Sequence, residues 1–150
     1  MGLAIAVARE GIATGQTPFG ACLVRADRVV ACAHNAVWAN LDITAHAEVQ
    51  AIRAACTELK TVDLSGSVLY STCEPCLMCF SAANWARVER IVYGTEIADA
   101  KRAGFHELTI ADRTVKQLGK SPIELSGCLL REDCLALFED WMKRPDRRAY

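Results

Sequence analysis

Apolar residues recur along this chain with two alternating periods. Leu3, Ile5, Ala6, Ala8 and Ile12 fall at helical spacing and predict an opening helix that ends near Gly15. Phe19 to Val24 is a continuous apolar run that reads as a strand. Asp27 and Arg28 turn the chain, and Val29 to His34 return it as the second strand of a hairpin. From Thr44 to Leu59 the period is helical again, with Val49, Ile52, Ala55, Cys56 and Leu59 on one side. Ser67 to Ser71 forms a third strand, and Pro75 suits the first turn of a helix running to about Ala86. Arg90 to Gly94 is a fourth strand. Residues 97–121 carry no clear period and predict short helical turns and loop. Ile123 to Ser126 predicts a fifth strand. A closing helix from about Arg131 to Lys143 follows, carrying Leu135, Leu137, Phe138 and Trp141. Strands alternating with helices indicate an α/β sheet sandwiched by helices. With no repeat, linker or low-complexity tract, residues 1–150 are expected to form one domain.

Composition narrows the class. The 150 residues are 52% apolar and 23% charged, enough to bury a core and against disorder. The net charge of −1 gives no global electrostatic case for nucleic acid or an anionic membrane. No apolar run approaches the ~18 residues of a membrane span. The opening residues lack a basic secretion n-region, and Ala6 stands where N-myristoylation after Gly2 would want Ser or Thr. A cytoplasmic location is the expectation. The eight cysteines are therefore expected to be reduced, with Cys22, Cys32 and Cys56 acting as small core residues.

Candidate chemistry sits in two short motifs. His46-Ala47-Glu48 is followed by Pro75-Cys76-Leu77-Met78-Cys79. One imidazole and two thiolates hold Zn²⁺ with a fourth position open to water, and zinc lowers the pKa of that water towards neutrality. Cys76 and Cys79, three apart at a helix start, share a face where the helix dipole favours thiolates. Glu48 is poorly suited as a structural ligand and well placed to carry protons; acid–base catalysis of that kind is worth ~10²–10⁴-fold. The pattern His-x-Glu … Pro-Cys-x-x-Cys is a zinc-deaminase signature. A closed structural site of Cys73, Cys76, Cys79 and His46 is the alternative, which would make the chain a zinc-binding module rather than an enzyme. Pro75 argues against it by leaving Cys73 outside the turn, and a structural site has no use for Glu48.

Thr44-Ala45-His46-Ala47-Glu48 and Thr72-Cys73-Glu74-Pro75-Cys76-Leu77-Met78-Cys79 closely resemble the cytidine-deaminase-like superfamily. The resemblance lies in the branch of guanine deaminases, tRNA adenosine deaminases and yeast-type cytosine deaminases, and extends from Thr17-Pro18-Phe19-Gly20 to the last helix. It implies a three-layer α/β/α fold with a central mixed five-stranded sheet, a homodimer, and Zn²⁺ on His46, Cys76 and Cys79. It further implies that Asn35, eleven residues before His46, binds the base, with Ala47 beside it. On its own, an Asn after a strand is a turn residue. Phe19 and Trp85 match residues of the guanine enzymes; the other reading of Trp85 is a core or dimer-interface aromatic. Ala103-Gly104-Phe105-His106-Glu107 is similar to their acid loop and implies that Glu107 passes a proton to the leaving amine, where otherwise it is an exposed loop residue. Tyr150 resembles a C-terminal Tyr that closes the pocket in some of them. The segment from Gly127 to Cys134 is more similar to the tRNA enzymes, and Lys143-Arg144 with Arg147-Arg148 form a basic tail that either contacts RNA or is a solvated helix end. The expectation is a purine-base deaminase, guanine to xanthine and ammonia. The alternatives are a tRNA adenosine deaminase, or a deaminase of cytosine or a triazine.

Overall fold

The computed structural model describes residues 1–106 and 108–150. The opening helix α1 (Gly2–Ala13) buries Ala4, Ile5, Ala8, Gly11 and Ile12, one stripe at helical spacing. Strands β1 (Gly20–Arg25) and β2 (Arg28–His34) form the hairpin. Its turn is Ala26-Asp27, both left-handed at φ 49° and 57°, as a two-residue primed turn demands; Arg28 already belongs to β2. Then follow the short helix α2 (Val37–Asn40), α3 (Ala47–Leu59), β3 (Ser67–Cys73), α4 (Leu77–Trp85) and β4 (Arg90–Thr95). The chain finishes with α5 (Ile97–Arg102), α6 (Asp112–Gly119), β5 (Glu124–Ser126) and α7 (Arg131–Met142).

The five strands make one mixed sheet in the order β2-β1-β3-β4-β5. β1 is antiparallel to both β2 and β3, whereas β3, β4 and β5 run parallel. Helices α1 and α7 pack together on one face, and α3 and α4 on the other. The core between the layers centres on Leu23, Leu69, Ile91 and Leu137, each at 0% exposure. Gly20 lets α1 lie directly on β1, since a Cβ there would come within 2.1 Å of the Ala4 carbonyl oxygen.

Three local expectations are corrected. Helix α3 starts at Ala47, not Thr44, because Asp42 accepts hydrogen bonds from the Thr44 N–H (2.8 Å) and hydroxyl (2.7 Å), folding residues 42–45 into a turn. Pro75 lies outside the first turn of its helix: Cys76 is the extended N-cap residue (ψ 167°) and α4 begins at Leu77. Cys22 and Cys32 are joined in a disulfide; they face each other directly in the β1–β2 register, 4.0 Å apart at Cα. Cys56, the third expected core thiol, is free and half-buried. Among the described residues no helix is long and apolar enough to cross a membrane.

Candidate functional site

The site forms where two helices begin. His46 is the N-cap residue of α3 and Cys76 that of α4; Cys79 lies one turn further on, at the third helical position. β3 leads into the Cys76 turn, so sheet, turn and both helix starts converge. The Sγ atoms of Cys76 and Cys79 are 3.6 Å apart, and each is 3.6 Å or 3.5 Å from His46 Nδ1, respectively. Tetrahedral zinc, with Zn–S of ~2.3 Å and Zn–N of ~2.0–2.1 Å, requires edges of about 3.8 Å between sulfurs and about 3.6 Å from sulfur to nitrogen. The three donors already stand at those spacings, and their chemistry suits zinc. Hydrogen bonding between the two thiols, helped by His46 and opposed by burial, holds the Cys76 thiol down to about 4. The same bond, with burial and the Glu48 carboxylate, raises Cys79 well above the usual thiol range. Cys73, buried at 4%, points its thiol towards the Glu96 carbonyl (3.6 Å) and lies outside the group of donors.

Glu48 sits on the first turn of α3, 5% exposed. Its Oε1 accepts a hydrogen bond from Ser71 Oγ at 2.8 Å, and its Oε2 lies 3.4 Å from Cys79 Sγ. Burial raises its pKa above the ordinary carboxylate range, opposed in part by His46. A carboxylate held beside the metal donors, and poised to take up a proton, is equipped for proton transfer.

Asn35 is fully buried at the end of β2. Its Oδ1 accepts the Val37 N–H at 3.0 Å, which fixes the amide so that Nδ2 points to the Tyr150 hydroxyl at 2.6 Å. Tyr150 itself lies over His46, ring centroids 5.3 Å apart, and edge-on to Phe105 at 5.7 Å. Phe19 packs edge-on against Phe105 at 4.8 Å and lines a small inner cavity together with Asn35, His46, Glu48, Cys73, Glu74 and Cys76. Ala47, the first residue of α3, is wholly buried.

Two sequence-based placements stand differently. Trp85 is 85% exposed and does not line the cavities around His46 within the chain. It follows Cys79 by six residues, a rotation of about 240° around a helix of 3.6 residues per turn, so it turns away from the site. Its core reading is excluded too, and a surface role remains. Glu107, the expected second proton carrier, lies outside the described residues.

Three polar residues were not anticipated. Ser71 orients Glu48. Glu74, 7% exposed, accepts the N–H of Ile97 (3.2 Å) and of Asp112 (2.8 Å), tying the starts of α5 and α6 to the site. Asp112 is fully buried, and neither of its carboxylate oxygens has a hydrogen-bond partner among the described residues. Burial, then Glu74, Glu48 and Cys76, push its pKa up to about 9. A polar residue in a strand, a Glu beside a Pro or an Asp at a helix start carries no sequence signal for such roles.

The pattern of the cytidine and deoxycytidylate deaminase zinc-binding region matches residues 1–95. The guanine deaminase of Bacillus subtilis (strain 168) is 37% identical over 148 residues, 98% of this chain and 94% of that protein. A tRNA-specific adenosine deaminase of Buchnera aphidicola subsp. Schizaphis graminum (strain Sg) is 29% identical, covering 95% of this chain and 91% of its own length. Among solved structures, the guanine deaminase from Nitrosomonas europaea superimposes with a TM-score of 0.85 at 30% identity, covering 93% of this chain and 81% of that one.

Proposed function

The chain belongs to the cytidine and deoxycytidylate deaminase zinc-binding family, and from that premise we propose that it is a zinc-dependent hydrolase that converts guanine to xanthine and ammonia. His46, Cys76 and Cys79 would hold the zinc, which would supply a water of lowered pKa. Glu48 would be the acid–base group that carries a proton to a ring nitrogen of the base, and Ser71 keeps its carboxylate aimed. Asn35, locked through its Oδ1, presents Nδ2 to an acceptor on the base, with Phe19 as one wall of the slot. Glu107 carries the proton that leaves with the amine. Two copies form a homodimer, and Trp85 contributes from its surface.

The observation that carries this is the buried Glu48 carboxylate, 3.4 Å from a metal-donor thiol and hydrogen-bonded to Ser71. A structural zinc module has no reason to bury an acid there at the cost of desolvation. A free base is favoured over tRNA because no Lys or Arg among the described residues lines the cavities beside His46. The basic tail is also engaged: Arg144 pairs with Asp146 at 2.9 Å, and the Arg148 guanidinium stacks 4.4 Å over Trp38. Ammonia release from guanine, adenine, cytosine, their nucleosides, a triazine and tRNA tests the assignment. Guanine should lead the panel. Efficient tRNA deamination that weakens steeply with salt, with free bases inert, would overturn it.

A further inference from the structure

Strand β2 carries one residue more than β1 across their hairpin. Outward from the turn, Arg25 faces Arg28 and Val24 faces Val29; then Leu23 faces Ala31, so Val30 is the extra residue of a bulge. Every later pair depends on it. The bulge sets Cys22 opposite Cys32 and Gly20 opposite His34, and it brings the Asn35 N–H to the Phe19 carbonyl at 3.0 Å. Phe19 and Asn35 both line the inner cavity beside Glu48. A regular ladder beyond Val29 would instead pair Leu23 with Val30 and Cys22 with Ala31. Each β2 side chain past the bulge would change faces, and Asn35 would leave its place in the cavity. Burial does little to choose between these registers. β2 is an edge strand, residues 30–34 are all half-buried, and α1 and α3 cover its two faces with small apolar side chains pointing both ways. The Cys22–Cys32 bond does choose, because the two sulfurs meet only in the bulged register.

Resting on the deaminase reading above for its effect on turnover, we infer that the Cys22–Cys32 pair is a redox lock on hairpin register: the disulfide holds Asn35 in the site, and reduction by a small-molecule thiol releases it. Two thiol molecules reduce the bond. The S–S bond breaks, two protein S–H groups form from the two thiol hydrogens, and the thiols leave joined as one small disulfide. The reverse exchange closes the lock again. Cys32 is half-buried whereas Cys22 is 2% exposed, so the Cys32 sulfur is the one within reach of attack. A cross-link between residues ten apart in sequence biases the chain by roughly 10²-fold. Reduction removes that bias. The share of chains with Asn35 in place then falls, and the apparent affinity for the base falls in proportion.

The test moves the zinc-loaded protein between oxidised and reduced glutathione. Mass spectrometry follows the Cys22–Cys32 bond, and zinc content is measured in both states. On reduction, the backbone amides of residues 31–35 should exchange hydrogen faster, by up to ~10²-fold. The kcat/KM for guanine should fall about tenfold or more within that range, with zinc retained. Oxidised glutathione should restore both. Cys32→Ala should behave as the reduced protein in either buffer. Deletion of Val30 removes the bulge and lets a regular ladder pair Cys22 with Cys32, so this variant should keep its kcat/KM in both buffers. Amide exchange that ignores the redox state would overturn the lock, as would a Cys32→Ala protein that responds like the parent. Exchange that responds while guanine turnover does not, or a Val30 deletion as redox-sensitive as the parent, would overturn the link to Asn35. Amide exchange needs no substrate. If it responds as expected and no base is deaminated, the lock stands and the deaminase reading falls.

Discussion

Replacing Asp112 by Asn removes an acid that the fold buries completely and leaves without a partner among the described residues. In the folded chain, burial and the neighbouring Glu74, Glu48 and Cys76 push its pKa up to about 9. In the unfolded chain it ionises near ~3.9. Between those values the native state keeps a proton that the unfolded state has released. The stability linked to this group is therefore complete below about pH 4, declines as pH rises, and is spent once pH passes about 9. One pKa unit is worth about 1.4 kcal/mol, so the wild type should lose about 4 kcal/mol through this group between about pH 4 and pH 7. Asn has nearly the same shape and no charge to expel. Urea unfolding of the zinc-loaded proteins at several pH values from about 5.5 to 8 would read the difference. The stability of Asp112→Asn relative to wild type should improve by about 1.4 kcal/mol per pH unit. A difference that stays constant across this range would refute the buried, protonated acid.

Three substitutions probe the proton path. Glu48→Gln should retain zinc, because Glu48 is not a ligand, and lose at least ~10²-fold in kcat; near-normal turnover would remove Glu48 from the mechanism. Ser71→Ala deletes a 2.8 Å hydrogen bond to the Glu48 carboxylate. Such bonds to charged groups are worth ~1.5–3 kcal/mol and favour the ionised form. The acid limb of the kcat/KM profile should move to higher pH, and an unmoved limb would dissociate Ser71 from Glu48. Glu107→Gln should lower kcat more than it raises KM, with zinc content unchanged; parental turnover of guanine would make Glu107 an ordinary loop residue.

The strands and long helices announced themselves through apolar periodicity, because each buries one face against the sheet. The metal donors announced themselves through spacing: two thiols three apart beside a helix start leave few geometric choices. What periodicity misses is contact between distant segments. Ser71 is one more residue of an apolar strand until β3 brings it against Glu48. Glu74 and Asp112, 38 residues apart, meet only because α6 starts over the end of β3. The Cys22–Cys32 bond depends on hairpin register, which a turn placed at Asp27-Arg28 instead of Ala26-Asp27 leaves undetermined. Trp85 shows the converse limit: a matching residue type fixes identity but not which side of the helix it occupies, and here that side is exposed. The short α2 was missed because four residues are too few to show a period.

The central claim is an open zinc site on three protein ligands, and X-ray absorption of the zinc-loaded protein reads it directly. The account predicts one zinc per chain with two sulfurs at ~2.3 Å and two nitrogen or oxygen neighbours at ~2.0–2.1 Å, the second of them exchangeable solvent. Three sulfurs and one nitrogen would bring Cys73 into the shell, close the site and contradict a deaminase.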